Sequence, residues 1–136
     1  KVKINFIGEL QELPINLKKI LIKSSNQLSV FKKKLTLNVA INYSSKIEIL
    51  NSLKILLKKR KKINIQNLER QLFTASSGHP EIIIRTGGFK RLSDFLLWQA
   101  AYSELFFEKK LWPDFKVKDL EKIIVNFNKI KRNFGK

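Results

Sequence analysis

The sequence predicts an α/β protein with a central, mostly parallel sheet flanked by helices. Two observations carry this reading. Strand-length runs rich in β-branched residues alternate with stretches of helical period, the order that builds parallel sheets. Glu81-Ile82-Ile83-Ile84, bounded by a proline and a glycine pair, has the continuous apolar character of a fully buried strand. No internal repeat and no linker rich in Pro, Gly or Ser interrupts the pattern.

The elements follow in order. Val2 to Ile7 reads as a strand ending at Gly8, and Pro14 suits the first turn of a helix whose apolar face holds Leu17, Ile20, Leu21 and Leu28. Leu35 to Ile41 is a second strand. Ser45 and Glu48 form a capping box that opens a helix with Ile47, Leu50, Leu53 and Leu57 on its apolar face. A short helical piece spans Leu68 to Phe73, and the 81–84 strand follows. Ser93 is predicted to cap a helix reaching about Leu105, Trp112 to Phe115 a packed turn. A last helix carries Leu120, Ile123, Ile124, Phe127, Ile130 and Phe134, with Asp119 and Glu121 in its first turn and Lys129, Lys131 and Arg132 in its last.

Composition narrows the function. The 136 residues have a formal net charge of +17 and no cysteine, which excludes a disulfide scaffold, thiolate zinc sites and a cysteine nucleophile. The lone histidine, His79, precedes Pro80 in a loop and reads as surface. No apolar run approaches a membrane span, the longest being Phe95-Leu96-Leu97-Trp98. No signal-peptide pattern opens the sequence. Starting at Lys1 and lacking methionine, the chain reads as a fragment.

The basic residues divide into 23 Lys and 5 Arg. Readers of nucleic acid lean on arginine, so no nucleic-acid partner is expected. Two readings of the charge stay open: a solvated lysine surface of compositional origin, and weak attraction to anionic lipid or phosphorylated substrates.

Chemistry concentrates in Ile84-Arg85-Thr86-Gly87-Gly88-Phe89-Lys90-Arg91-Leu92-Ser93, where a buried strand runs into a glycine pair and then a helix. Ligands of open α/β sheets bind at the carboxyl ends of strands. Backbone N–H groups of Gly87 and Gly88 could cradle an anion, Arg85 and Arg91 could each fork onto phosphate oxygens, and Ser93 could close the site. A diphosphate is the natural ligand. An ordinary strand–turn–helix connection fits the same residues. No Gly-x-x-x-x-Gly-Lys-Ser/Thr pattern occurs, so this is not a nucleotide P-loop. Glu104, a carboxylate in a strongly apolar segment, suits either a Mg²⁺ beside that diphosphate or a helix-end salt bridge with Lys109 or Lys110.

At these residues the sequence resembles the cis-prenyltransferases, bacterial undecaprenyl diphosphate synthase in particular. Residues Pro80 to Gly88, Arg91 to Gln99 and Ala101 to Leu105 match that family's late signature blocks almost position for position, and Leu111 to Phe115 continues the match. Phe6 to Glu9, Leu37 to Tyr43 and Arg132 to Gly135 resemble weaker blocks. The resemblance implies condensation of isopentenyl diphosphate onto an allylic diphosphate such as farnesyl diphosphate, giving a long polyprenyl diphosphate with new cis double bonds. It implies Mg²⁺, a homodimer, and a cytoplasmic enzyme that visits the inner face of the membrane, where it would supply a cell-wall precursor. Carried over, Arg85, Arg91, Leu92 and Ser93 would bind isopentenyl diphosphate, Gly87 and Gly88 would line its diphosphate, and Glu104 would reach Mg²⁺ from the partner's side.

The sequence departs from the family in places. The N-terminal Asp-Gly-Asn and Ser-x-Glu-Asn-Trp blocks are absent, so residues 1–136 read as the C-terminal portion of one domain whose catalytic Asp lies upstream, and the fragment alone is expected to be inactive and poorly folded. Phe89 stands where the family usually has Glu, Ser44-Ser45-Lys46 where Gly-Gly-Arg is usual, and Asn133 where the last block has Arg. An alternative is a non-catalytic partner subunit completing a heteromeric prenyltransferase.

Overall fold

The computed structural model describes residues 2–27 and 35–133. The described elements are strand β1 (Val2–Ile7), helix α1 (Ile15–Gln27), strand β2 (Leu35–Ala40), helices α2 (Ser45–Lys58) and α3 (Ile65–Glu69), strands β3 (Ile82–Arg85) and β4 (Glu104–Phe107), and helix α4 (Val117–Phe127). Single 3₁₀ turns lie at Leu10–Glu12 and Trp112–Asp114. The chain forms two compact units, Lys1–Gly78 and His79–Lys136. Each holds one parallel strand pair, β1 with β2 and β3 with β4. The α/β class with parallel strands is as the sequence predicts.

In the first unit, β1 and β2 pair in register from Val2↔Leu35 to Ile7↔Ala40. At the Asn5↔Asn38 step the two side chains face each other, and Asn5 Nδ2 donates to Asn38 Oδ1 at 2.8 Å. Gly8 ends β1 with φ +121°, and a Cβ there would sit 2.1 Å from the Ile41 carbonyl oxygen, so only glycine fits. On α1, Leu21 is buried while Leu17 and Ile20 are exposed; Leu28 lies outside the described residues.

Helix α2 begins one residue off the predicted cap. Ser44, not Ser45, is the N-cap, its Oγ accepting from the Ile47 N–H at 3.2 Å. The packed face is also the reverse of the expected one. Ser45, Glu48, Ser52 and Leu56 are buried, whereas Ile47, Leu50 and Leu57 are exposed. Glu48, 2% exposed, accepts from the Tyr43 hydroxyl at 2.5 Å and the Phe73 N–H at 2.6 Å. Two strong donors offset the desolvation of its carboxylate. Small serines at 45 and 52 let this side approach its neighbours closely.

In the second unit, β3 and β4 pair from Ile82↔Glu104 to Arg85↔Phe107. A parallel pair needs a long crossover, for which a helix is the usual solution. Here residues 86–103 cross over in turns, because Ser93 (φ +48°), Asp94 (+62°) and Leu96 (+48°) are left-handed and cannot sit in a right-handed helix. The predicted helix from Ser93 to Leu105 is therefore absent, and its end is instead β4, a fourth strand that the sequence reading missed. Within β3, Ile83 is buried and Ile82 and Ile84 are only half-buried.

Helix α4 stops at Phe127, so Lys129, Lys131 and Arg132 lie beyond its end rather than in its last turn. Ile123 is buried, Leu120, Ile124 and Ile130 are exposed, and Phe134 lies outside the described residues. Asp119 Oδ2 accepts from the Lys116 N–H at 2.8 Å, while its Oδ1 meets Lys110 Nζ at 2.6 Å. The hydrogen bond from Lys110, then that from Lys116, hold the Asp119 carboxyl below the usual carboxylate range. Trp112 stacks on Phe115 at 6.3 Å but is 75% exposed, so the turn is tied by polar contacts rather than packed.

Candidate functional site

Arg85 ends β3, and its side chain organises the loop that follows. Its Nη1 donates to the Ser93 hydroxyl oxygen at 2.8 Å and to the Arg91 carbonyl oxygen. One guanidinium thus pins the segment 91–93, where the left-handed residues begin. Strained residues persist only where their surroundings hold them, and Arg85 is one such hold.

The arrangement brings Arg85, Arg91, Leu92 and Ser93 around one cavity of about 330 Å³, shared with Ile83, Ile84, Thr86 and Phe95. Its floor is aliphatic and aromatic, its rim cationic. The Arg91 guanidinium makes no hydrogen bond or ion pair among the described residues, which leaves five donors for an anion. Ser93 Oγ, having accepted from Arg85, still has its O–H to donate. The Phe89 ring lies 4.3 Å from the Arg91 guanidinium carbon and 5.7 Å from that of Arg85, an aromatic face against both cations.

The glycine pair plays a different part from the expected one. Gly87 N–H donates to the Lys110 carbonyl at 2.7 Å and Gly88 N–H to the Glu108 carbonyl at 2.8 Å. These donors are committed to the segment after β4 and do not cradle an anion. What both glycines supply is φ of +90° and +82°, which turns the chain out of β3. Nor does a helix N-terminus add its dipole at Ser93, since no helix begins there.

Glu104 stands apart from this cavity. The register sets it opposite Ile82, three residues before Arg85, or about 10 Å along the strands. It lines a second cavity of about 230 Å³ with Ala101, Tyr102, Ser103, Lys131, Arg132 and Asn133. Its ionic neighbour is Arg132, Nε to Oε1 at 4.0 Å, rather than Lys109 or Lys110. Arg132 also pairs with Glu81 at 2.9 Å, donates to the Tyr102 carbonyl at 3.0 Å and lies 5.4 Å from the Phe127 ring centroid. His79 is exposed, as expected.

The sequence reading gave no role to Thr86 and Phe95, which line the first cavity, or to Arg132 at the second. Thr86 sits inside the quoted block and Phe95 two residues beyond it, so the strand end could have pointed to them. Arg132 lies 51 positions from Glu81, and no local pattern links the two.

Comparison with known proteins places the chain in a family. Residues 1–135 match the prenyltransferase family model described as "Putative undecaprenyl diphosphate synthase". The isoprenyl transferase of Prochlorococcus marinus is 44% identical over 141 residues, covering 98% of this chain and 52% of that relative. Among solved structures, a probable undecaprenyl diphosphate synthase from Campylobacter jejuni is similar with a TM-score of 0.92 at 30% identity, over 99% of this chain and 64% of that one. Lavandulyl diphosphate synthase from Lavandula x intermedia, solved with dimethylallyl diphosphate, follows with a TM-score of 0.90 at 25% identity, over 99% and 61%. The chain thus spans about half to two thirds of the length of these relatives. With the match running through both units and through the arginine-rimmed cavity, the chain belongs to the undecaprenyl diphosphate synthase family of isoprenyl transferases.

Proposed function

We propose that this chain carries the isopentenyl diphosphate site of a cis-prenyltransferase, which condenses isopentenyl diphosphate onto an allylic diphosphate such as farnesyl diphosphate to make a long polyprenyl diphosphate. The observation that carries the reading is the 330 Å³ cavity, where a cationic rim of Arg85, Arg91 and Ser93 adjoins an apolar floor of Ile83, Ile84, Leu92 and Phe95. A five-carbon chain ending in a diphosphate has that same polarity. Arg91 can fork onto the diphosphate oxygens and the Ser93 O–H can donate to a third. Arg85 holds both partners in place, so the ordering entropy is met before the ligand arrives.

Glu104 fits a role at Mg²⁺. Among the described residues no three carboxylate or histidine side chains gather into a metal site. Glu104 would give the ion one carboxylate, of the one or two it commonly takes, in place of its present neighbour Arg132, with water and diphosphate oxygens completing the shell. When bound, Mg²⁺ supplies neutralisation of diphosphate charge. Because Glu104 sits at the other end of the strand pair from Arg85, we place it toward the diphosphate held by a second copy, in a homodimer. The catalytic acid and the allylic site belong to other parts of the whole protein, and the enzyme works at a membrane surface that receives its polyprenyl product.

Calorimetric titration of the chain with isopentenyl diphosphate tests the reading. Saturable binding that Arg91→Ala removes is the expected result; equal binding by the two proteins would overturn it. Product sizing after incubation of the whole protein with farnesyl diphosphate, labelled isopentenyl diphosphate and Mg²⁺ reads the transfer itself.

A further inference from the structure

We infer that the turn joining α2 to α3 is a docking surface for the anionic face of a lipid bilayer. Residues 49–68 contain six cations, Lys54, Lys58, Lys59, Arg60, Lys61 and Lys62, and no Asp or Glu. All six are exposed, and none of them has an ion-pair partner among the described residues. Five are consecutive, a density that raises self-repulsion unless something anionic answers it.

The turn that displays them is built. The Lys61 N–H donates to the Leu56 carbonyl and the Arg60 N–H to the Leu57 carbonyl, both at 3.0 Å, which closes α2 in a Schellman motif. Arg60 takes the left-handed position at φ +51°, where glycine is usual. Asn67 Nδ2 donates to the Lys62 carbonyl at 2.7 Å and fixes the exit into α3. The cations at the end of α2 also sit favourably against its dipole.

Apolar side chains on the same segment select the partner. Leu57, Ile63 and Ile65 bracket the basic run and are 63, 54 and 64% exposed. Interleaved aliphatic and cationic residues suit a headgroup boundary, where the first enter the acyl layer and the second meet lipid phosphates. A nucleic acid uses the cations but has little use for three exposed aliphatics. The stretch also offers no aromatic ring for base stacking and only one arginine. A second copy meeting this surface with its own would oppose like charges. No described helix is long and apolar enough to cross a membrane, so the contact lies on the bilayer. The inference deepens the membrane association proposed above but stands on residues apart from the diphosphate cavity, so either reading can fail alone.

Vesicle flotation of the chain tests it, with phosphatidylcholine alone and mixed with phosphatidylglycerol. The chain should float with the anionic vesicles only. Each neutralised cation should lower partitioning by about five-fold, so Lys58, Lys59, Lys61 and Lys62 all changed to Gln should cost about a hundred-fold or more. The same four changed to Arg should keep binding, which controls for folding. Leu57→Ser/Ile63→Ser/Ile65→Ser should lose several-fold. Wild-type partitioning by the glutamine variant, or loss in the arginine variant, would overturn the inference. So would wild-type vesicle binding by the serine variant together with tighter binding of a single-stranded RNA, which would assign the surface to nucleic acid.

Discussion

Replacing Arg85 by Lys separates charge from geometry at the proposed diphosphate site. Arg85 spans two acceptors, the Ser93 hydroxyl at 2.8 Å and the Arg91 carbonyl, from one planar guanidinium. Both bonds come from the two hydrogens of Nη1, and an ammonium keeps the charge but sits on a stem one atom shorter, without the planar group that aims those hydrogens. Hydrogen bonds to charged groups contribute about 1.5–3 kcal/mol each when sheltered, and solvent competition at this half-exposed site brings the pair to about 2 kcal/mol. That energy offsets part of the cost of the left-handed residues Ser93, Asp94 and Leu96, roughly 1–2 kcal/mol apiece, the rest being met by other contacts of the segment. Without these two bonds the segment loosens, Arg91 and Ser93 lose their common direction, and affinity for inorganic pyrophosphate should fall by about thirty-fold in Arg85→Ala. Arg85→Lys should recover less than half of that loss in free energy. Calorimetry measures the affinities, and hydrogen exchange over 91–96 should show faster opening in both variants. Lysine binding pyrophosphate within about two-fold of arginine would refute the positioning role and leave Arg85 as a plain charge.

Three further outcomes follow from the structure. Glu48→Ala takes the acceptor from the part-buried Tyr43 hydroxyl and Phe73 N–H and empties a buried side-chain site, and should cost about 2–4 kcal/mol in urea unfolding, with Glu48→Gln costing less because it keeps an acceptor. Gly8→Ala drives a Cβ to 2.1 Å from the Ile41 carbonyl at a left-handed φ and should destabilise by about 3 kcal/mol or more, again read by urea unfolding. Asp119 has a lowered pKa in the fold, so its support of α4 is complete above the ordinary carboxylate range and fades as pH falls through the depressed value; amide exchange at the start of α4 should rise in acid below about pH 4, and Asp119→Asn should remove that dependence.

Three of the four described strands and the arginine-lined rim were legible in the sequence because their signals are local. Val2 to Ile7 ends at a glycine that geometry demands, and Arg85, Arg91 and Ser93 lie within nine residues of one strand end. The crossover was not legible. Residues 93–105 mix Leu, Phe, Trp and Ala at spacings that a helix tolerates, and nothing in their types announces left-handed dihedrals at Ser93, Asp94 and Leu96. That conformation is supported in part by a tertiary bond, Arg85 reaching across eight residues to Ser93, and tertiary contacts override local propensity. The Glu104–Arg132 meeting is hidden for the same reason at greater range.

Helix α2 shows the limit of periodicity most clearly. Ile47, Leu50 and Leu57 do share a face, as the spacing says, yet that face is exposed and Ser45, Glu48 and Ser52 are inside. A hydrophobic period reports which residues point the same way; it does not report what stands opposite them. Here the inner side is chosen by a carboxylate that two donors satisfy and by serines small enough for close approach. Both donors support the burial of Glu48, so removing either should weaken it. Tyr43→Phe keeps the ring and its edge-on contact with Phe73 at 6.5 Å but removes one donor from Glu48. A carboxylate left with less support in a buried place turns into a cost of about 1–3 kcal/mol. The packing of α2 therefore rests on this polar contact together with the fully buried Leu56, while Ile47, Leu50 and Leu57 of the expected stripe stay exposed.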